Sequence, residues 1–134
     1  MTDTRLIALS RHIGRVGLAS LFLLGGINKL SSFAATAERM ESVGLVPVIV
    51  LMPATIALEL IGGAMLALKA QFAWIAALLL AVFTLATNLY FHAFWTLEGE
   101  LRALELSLFF KNVAIAGALV FAASVLFPSD QKAA

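Results

Sequence analysis

Glu59 stands in IALELIGG (residues 56–63), inside an apolar run from Val46 to Leu68 that is long enough to cross a membrane. A carboxylate near the middle of a span costs about 2.5–3.5 kcal/mol on insertion scales. It must either stay protonated or be ionised against a cation. Lys29 and Lys111 are the cations at comparable depth. The expectation is an ion pair of Glu59 with one of these lysines, the other being left over. Asn88, His92 and Asn112 belong to the same depth zone. Lys29, Glu59, Asn88, His92, Lys111 and Asn112 thus form a candidate ligand pocket whose donors suit the carbonyls of a lipophilic ring. Phe91, Phe94, Trp95, Phe109 and Phe110 offer ring contacts. No catalytic residue is assigned. Plainer readings stand beside these: Lys29 snorkelling to headgroups, His92 in an aromatic belt, and an ion pair that only holds two helices together.

Four apolar segments must position these groups, at about 13–30, 46–68, 72–95 and 106–127. Each is near the 20 residues or so that a spanning helix needs, and lipid requires every backbone group to be satisfied within the segment. Ser31-Ser32, Gly44 with Pro47, Glu98-Gly99-Glu100 and Pro128 punctuate the chain between and after them. Pro53 is expected to kink the second span. Phe33, Ala37, Met40 and Val43 share one face of the segment between the first two spans, which suits a short amphipathic helix at the interface. The expected fold is an all-α, antiparallel four-transmembrane-helix bundle with that interfacial helix between helices 1 and 2, residues 1–134 forming one domain. Gly26, Gly62, Gly63 and Gly117 are expected to let helices approach closely. A signal peptide ending near Ala35-Thr36-Ala37 fits less well, because Asn28-Lys29 interrupts the apolar run.

Arg5, Arg11, Arg15, Lys69 and Lys132 fall on one side of the four spans, and Lys29, Arg39, Arg102 and Lys111 on the other. The first group is larger, and the difference widens if Lys29 and Lys111 belong to the membrane interior. Both termini are therefore expected in the cytoplasm, with the polar groups in the outer half of a multi-pass protein of the inner membrane.

Hydrophobic residues make up 62% of the 134 and charged ones 13%, with a mean hydropathy of +1.01. A water-soluble domain of this size cannot hide so much apolar surface, so the bilayer is the first partner. A net charge of +1 leaves no electrostatic footprint for nucleic acid. Cysteine is absent, which excludes disulfides and cysteine-held clusters. His12 and His92 are placed on opposite membrane faces, so this chain alone is not expected to ligate haem or another metal.

The motifs resemble the DoxX family of small four-helix membrane proteins. In order they are Gly26-x-x-Lys29, Arg39-Met40-Glu41-x-x-Gly44-x-x-Pro47, Leu58-Glu59-x-x-Gly62-Gly63, Phe91-His92, and Phe110-Lys111-Asn112 followed by Gly117. The family's usual glycine and basic residue at the turn between helices 2 and 3 stand here as Lys69-Ala70-Gln71, and its glycine pair in helix 4 as Gly117-Ala118. The resemblance implies links to quinone-dependent oxidation, as a membrane subunit of an oxidoreductase, and to resistance against oxidants. The expected function is accordingly an accessory subunit that binds a quinone non-covalently and serves a redox partner protein, in a homo-oligomer or beside another chain. It is expected to be at most a membrane subunit of an oxidoreductase, and not a stand-alone redox enzyme. The alternatives are a proton-coupled carrier acting as a dimer through Glu59, and a purely structural or assembly subunit.

Overall fold

A computed structural model describes residues 2–128; Lys132, one of the basic residues on the terminal side of the spans, lies outside them. Five α-helices follow one another: α1 (Thr2–Ser31), α2 (Phe33–Ser42), α3 (Val48–Leu68), α4 (Ala73–Phe91) and α5 (Gly99–Leu126), with a 3-10 turn at Phe94–Thr96 between the last two. Among the described residues all regular structure is helical, and α1, α3, α4 and α5 are long and apolar enough to cross a membrane. The short α2 lies where the amphipathic pattern places it, and its Met40 packs under Val48, Met52 and Ile56 of α3.

Three boundaries differ from the sequence expectation, for reasons of length. The first helix begins at Thr2 and not near residue 13, and the last begins at Gly99 and not near 106. At 1.5 Å per residue both exceed the roughly 30 Å of hydrocarbon, so their polar turns project beyond it. Good helix formers such as Leu101, Arg102, Ala103 and Leu104 continue the helix regardless of the solvent change. Conversely α4 stops at Phe91 instead of running to Trp95. Its 19 residues already span the hydrocarbon, and Phe94 and Trp95 fall on the 3-10 turn, at the level where aromatic residues settle. Helix α3 continues through Pro53. It ends on a Schellman-type cap: Lys69 takes the left-handed conformation (φ 55°, ψ 47°), its N–H donates to the Leu66 carbonyl, and the Ala70 N–H donates to the Met65 carbonyl.

The four long helices pack around a ring in the order α1, α3, α4, α5. Helix α1 lies along α3, α3 along α4 and α4 along α5, whereas α1 and α5 barely touch. The bundle thus has one open edge, and α3 and α5 are diagonal. Small residues dominate the shared core: Ala19, Ala77, Ala81, Ala116 and Ala123 surround Leu66, Leu80 and Leu119. Without a hydrophobic drive between helices in lipid, such close packing carries the association. Three glycines serve it. A Cβ on Gly26 would lie 2.7 Å from Leu60 Cγ, one on Gly62 3.3 Å from Leu80, and one on Gly63 3.1 Å from Leu23. Gly117 does not join them. It is exposed, and nothing lies within 4 Å of its Cβ position, because it faces away from both α4 and the core.

Candidate functional site

The buried charge is resolved between α1 and α3. Lys29 Nζ donates to both Glu59 oxygens, at 2.9 and 2.8 Å. Glu59 is 5% exposed, while the Lys29 side chain keeps 24% of its surface open. Gly25 makes room for the pair, since a Cβ there would sit 3.0 Å from Glu59 Oε1. Two charge-assisted bonds to one ammonium are what a carboxylate needs to remain ionised away from water. Lys111 takes no part. It is exposed on α5, and α5 lies diagonally across the bundle from α3.

The amides close a different seam. Asn88 on α4 is fully buried; its Nδ2 donates to the Phe109 carbonyl at 3.1 Å, and its Oδ1 accepts from Asn112 Nδ2 at 3.0 Å. Both amides therefore hold α4 against α5 and are committed to each other. Asn88→Leu removes the buried acceptor and leaves the Asn112 donor unpaired, so a stability loss of about 2 kcal/mol is expected in detergent melts. Asn88→Leu with Asn112→Leu should recover most of it, because an apolar pair strands no polar atom. A double variant as unstable as the sum of the two singles would refute the coupling.

His92 finds a partner that spacing alone does not single out. Its Nδ1 lies 2.6 Å from Glu105 Oε2, with both side chains about a quarter exposed. An ionised carboxylate only accepts, so Nδ1 carries the hydrogen in that contact, and in the neutral ring Nε2 is then the acceptor. Close to these residues in the chain, Phe94 packs edge-on against Trp95 and Phe109 at 5.3 Å, and Phe109 against Phe110 at 5.7 Å. Glu105 was legible in one respect: Glu105, Phe109 and Asn112 recur at i, i+4 and i+7 on α5, as Asn88 and His92 do at i and i+4 on α4.

The six residues grouped by depth therefore separate into a carboxylate–ammonium pair between α1 and α3, an amide pair between α4 and α5, a histidine paired with Glu105, and an exposed lysine. Glu59 lies near the middle of the bundle and the others toward the end that carries α2. At the opposite end Arg15, which sequence reasoning counted only as a charge, donates from Nε to the Leu66 carbonyl at 2.9 Å and from Nη2 to the Ala67 carbonyl at 3.3 Å. It satisfies the last carbonyls of α3 from α1.

Comparison with known proteins gives two matches. A family model described as DoxX matches residues 10–93. That span includes Lys29, Glu59, Asn88 and His92 and ends before Glu105 and Asn112. The chain is also similar to the "Inner membrane protein YphA" of Escherichia coli (strain K12), at 29% identity over 111 residues, which cover 83% of this chain and 79% of that protein. No solved structure matches.

Proposed function

The chain belongs to the DoxX family, and on that footing we propose that it is an accessory membrane subunit of an oxidoreductase system, holding a quinone or quinol ring at the α2 end of the bundle. The observation that carries this reading is the His92–Glu105 pair at 2.6 Å, two residues before Phe94 and one helical turn before Phe109 in the chain, with Phe94, Trp95, Phe109 and Phe110 packed edge-on to one another. A quinol bound there would supply two electrons and two protons. The remaining work is done by side chains of this protein. The aromatic rings give a flat apolar contact. Glu105 fixes the His92 ring and favours the tautomer whose Nε2 can take up a hydroxyl proton or, once protonated, donate to a carbonyl. Partial exposure of both residues gives that proton a way out to water.

Electrons pass to a redox partner in this reading, since the chain has no cysteine for a cluster. Helix α5 offers such a partner, or a second copy, an exposed face that includes Phe110, Lys111, Ala114 and Gly117. The α2 end is proposed to face outward and the end with Arg5, Arg11, Arg15 and Lys69 the cytoplasm, in the inner membrane where the Escherichia coli relative's name places that protein. A carrier mechanism through Glu59 fits the geometry less well, because Lys29 holds both carboxylate oxygens.

The test uses the protein's two tryptophans. In Trp74→Phe, Trp95 becomes the sole reporter, and titration with a short-chain ubiquinone analogue should quench it saturably. His92→Phe in that background should weaken binding about tenfold, the effect of one lost hydrogen bond to a buried carbonyl. Quenching that rises linearly, identically with and without His92, would overturn the proposal.

A further inference from the structure

The open edge of the bundle is a cleft with a definite chemistry. Between α1 and α5, toward the terminal end, lies a cavity of ≈ 660 Å³. That volume is in the range of about 300–1,000 Å³ typical of small-molecule sites. Gly14, Ala118 and Ala122 keep it open, and Leu18, Phe121 and Val125 line it with apolar surface. Its rim carries Arg11, Arg15 and Lys69. No carboxylate lines it, and among the described residues none of these three cations lies in a salt bridge. The described glutamates stand at the α2 end or, for Glu59, inside the pair with Lys29, and Asp3, in the first turn of α1, is the one described carboxylate at the cleft's own end and does not line it.

Two of the three cations are held by the fold. Arg15 is pinned by the Leu66 and Ala67 carbonyls and lies 3.2 Å from His12 Nδ1. Lys69 occupies the left-handed cap of α3, where glycine would sit without steric cost. That cap fixes the backbone at the end of α3 from which the Lys69 side chain reaches the cleft. The depth is also informative. Counting about 20 residues of span back from Ser31 sets Arg11 at the hydrocarbon boundary and Arg15 just inside it. An apolar slot opening to lipid, with three cations at its rim that are in salt-bridge reach of no carboxylate among the described residues, has the charge pattern of an amphiphile with an anionic head.

We propose that this cleft binds an anionic glycerophospholipid, its phosphate at Arg11, Arg15 and Lys69 and an acyl chain in the slot between α1 and α5. The lipid completes the bundle along the one edge where protein does not pack on protein. The site is at the other end of the molecule from His92, and it stands whether or not a quinone binds there.

The experiment is retention of lipid by the full chain in zwitterionic detergent, read by native mass spectrometry with phosphatidylglycerol or phosphatidylcholine added. Phosphatidylglycerol should remain bound one per chain at concentrations where phosphatidylcholine has left. Arg11→Gln and Lys69→Gln should each weaken retention about fivefold, and together about twenty-five-fold, as expected for charges near a membrane surface. Arg15 is left intact because it also caps α3. Ala122→Phe, which fills the slot and changes no charge, should abolish retention while the thermal transition persists. Equal retention of the two lipids overturns the proposal, as does retention of phosphatidylglycerol unchanged in the Arg11→Gln, Lys69→Gln variant. A lipid-independent dimer that the Ala122→Phe substitution breaks would assign the cleft to a second copy of the chain and overturn it equally.

Discussion

Glu59→Leu should lower stability in detergent by about 3 kcal/mol. The substitution leaves the Lys29 ammonium facing an apolar seam between α1 and α3 with neither of its two charge-assisted bonds. Breaking one side of a fully buried pair typically costs about 3–5 kcal/mol. The lower figure applies because Lys29 retains a quarter of its surface. Lys29→Met should do comparable harm by stranding the carboxylate. The informative measurement is the double variant. Two apolar side chains of similar volume strand nothing, so Lys29→Met with Glu59→Leu should be far more stable than the summed losses imply. Strict additivity would mean the 2.8 Å contact carries no coupling energy. Lys111→Met is the control: it is exposed on α5, away from the pair, and should leave the melting transition nearly unchanged.

Gly26→Val is the second large effect, and it acts by shape. A Cβ at residue 26 would already meet Leu60 Cγ and Cδ2 at 2.7 Å, and valine adds two methyl groups to that position. The α1–α3 seam must open or Leu60 must leave its rotamer. Overpacking of this kind costs about 1–3 kcal/mol, and the upper part of that range is expected because Glu59 Cβ lies 3.4 Å away on the same side. Opening the seam also lengthens the Lys29–Glu59 bonds. Gly117→Ala gives the opposite sign. With nothing within 4 Å of it, an alanine there meets no atom of its own chain, and it should stabilise α5 by up to about 1 kcal/mol through helix propensity. Thermal melts of the two variants side by side distinguish a packing glycine from a glycine that merely occurs in a helix. A Gly26→Val protein as stable as the parent would show that the seam is loosely packed.

Hydropathy and local hydrogen bonding are properties of short stretches, and the bilayer makes both decisive. A run of about 20 apolar residues must be a helix if it lies in lipid, so four spanning helices follow from the sequence without any knowledge of neighbours. Helix α2 is legible for a similar reason, from the recurrence of Phe33, Ala37 and Met40 on one face. Depth is legible too, because alternating spans give each polar residue a level within the bundle. That is why Lys29, Glu59, Asn88 and His92 group together from their positions along the chain alone.

Depth is one coordinate, and contacts need all three. Glu59 has two lysines at its level, and only the order of the helices around the ring decides between them: α1 adjoins α3, and α5 is diagonal to it. The same order joins Asn88 to Asn112 across α4 and α5, which commits two amides that the sequence leaves available for a ligand. It brings Glu105 to His92, a pairing across a turn whose path depends on where α4 stops. It also turns Gly117 outward, although a glycine in an apolar span reads as a packing residue. The basic cleft is the clearest case. Arg11 and Arg15 come from the first helix, Lys69 from a turn in mid-chain, and the apolar wall from the last helix. No local pattern links them, because the cleft exists only where α1 and α5 fail to close.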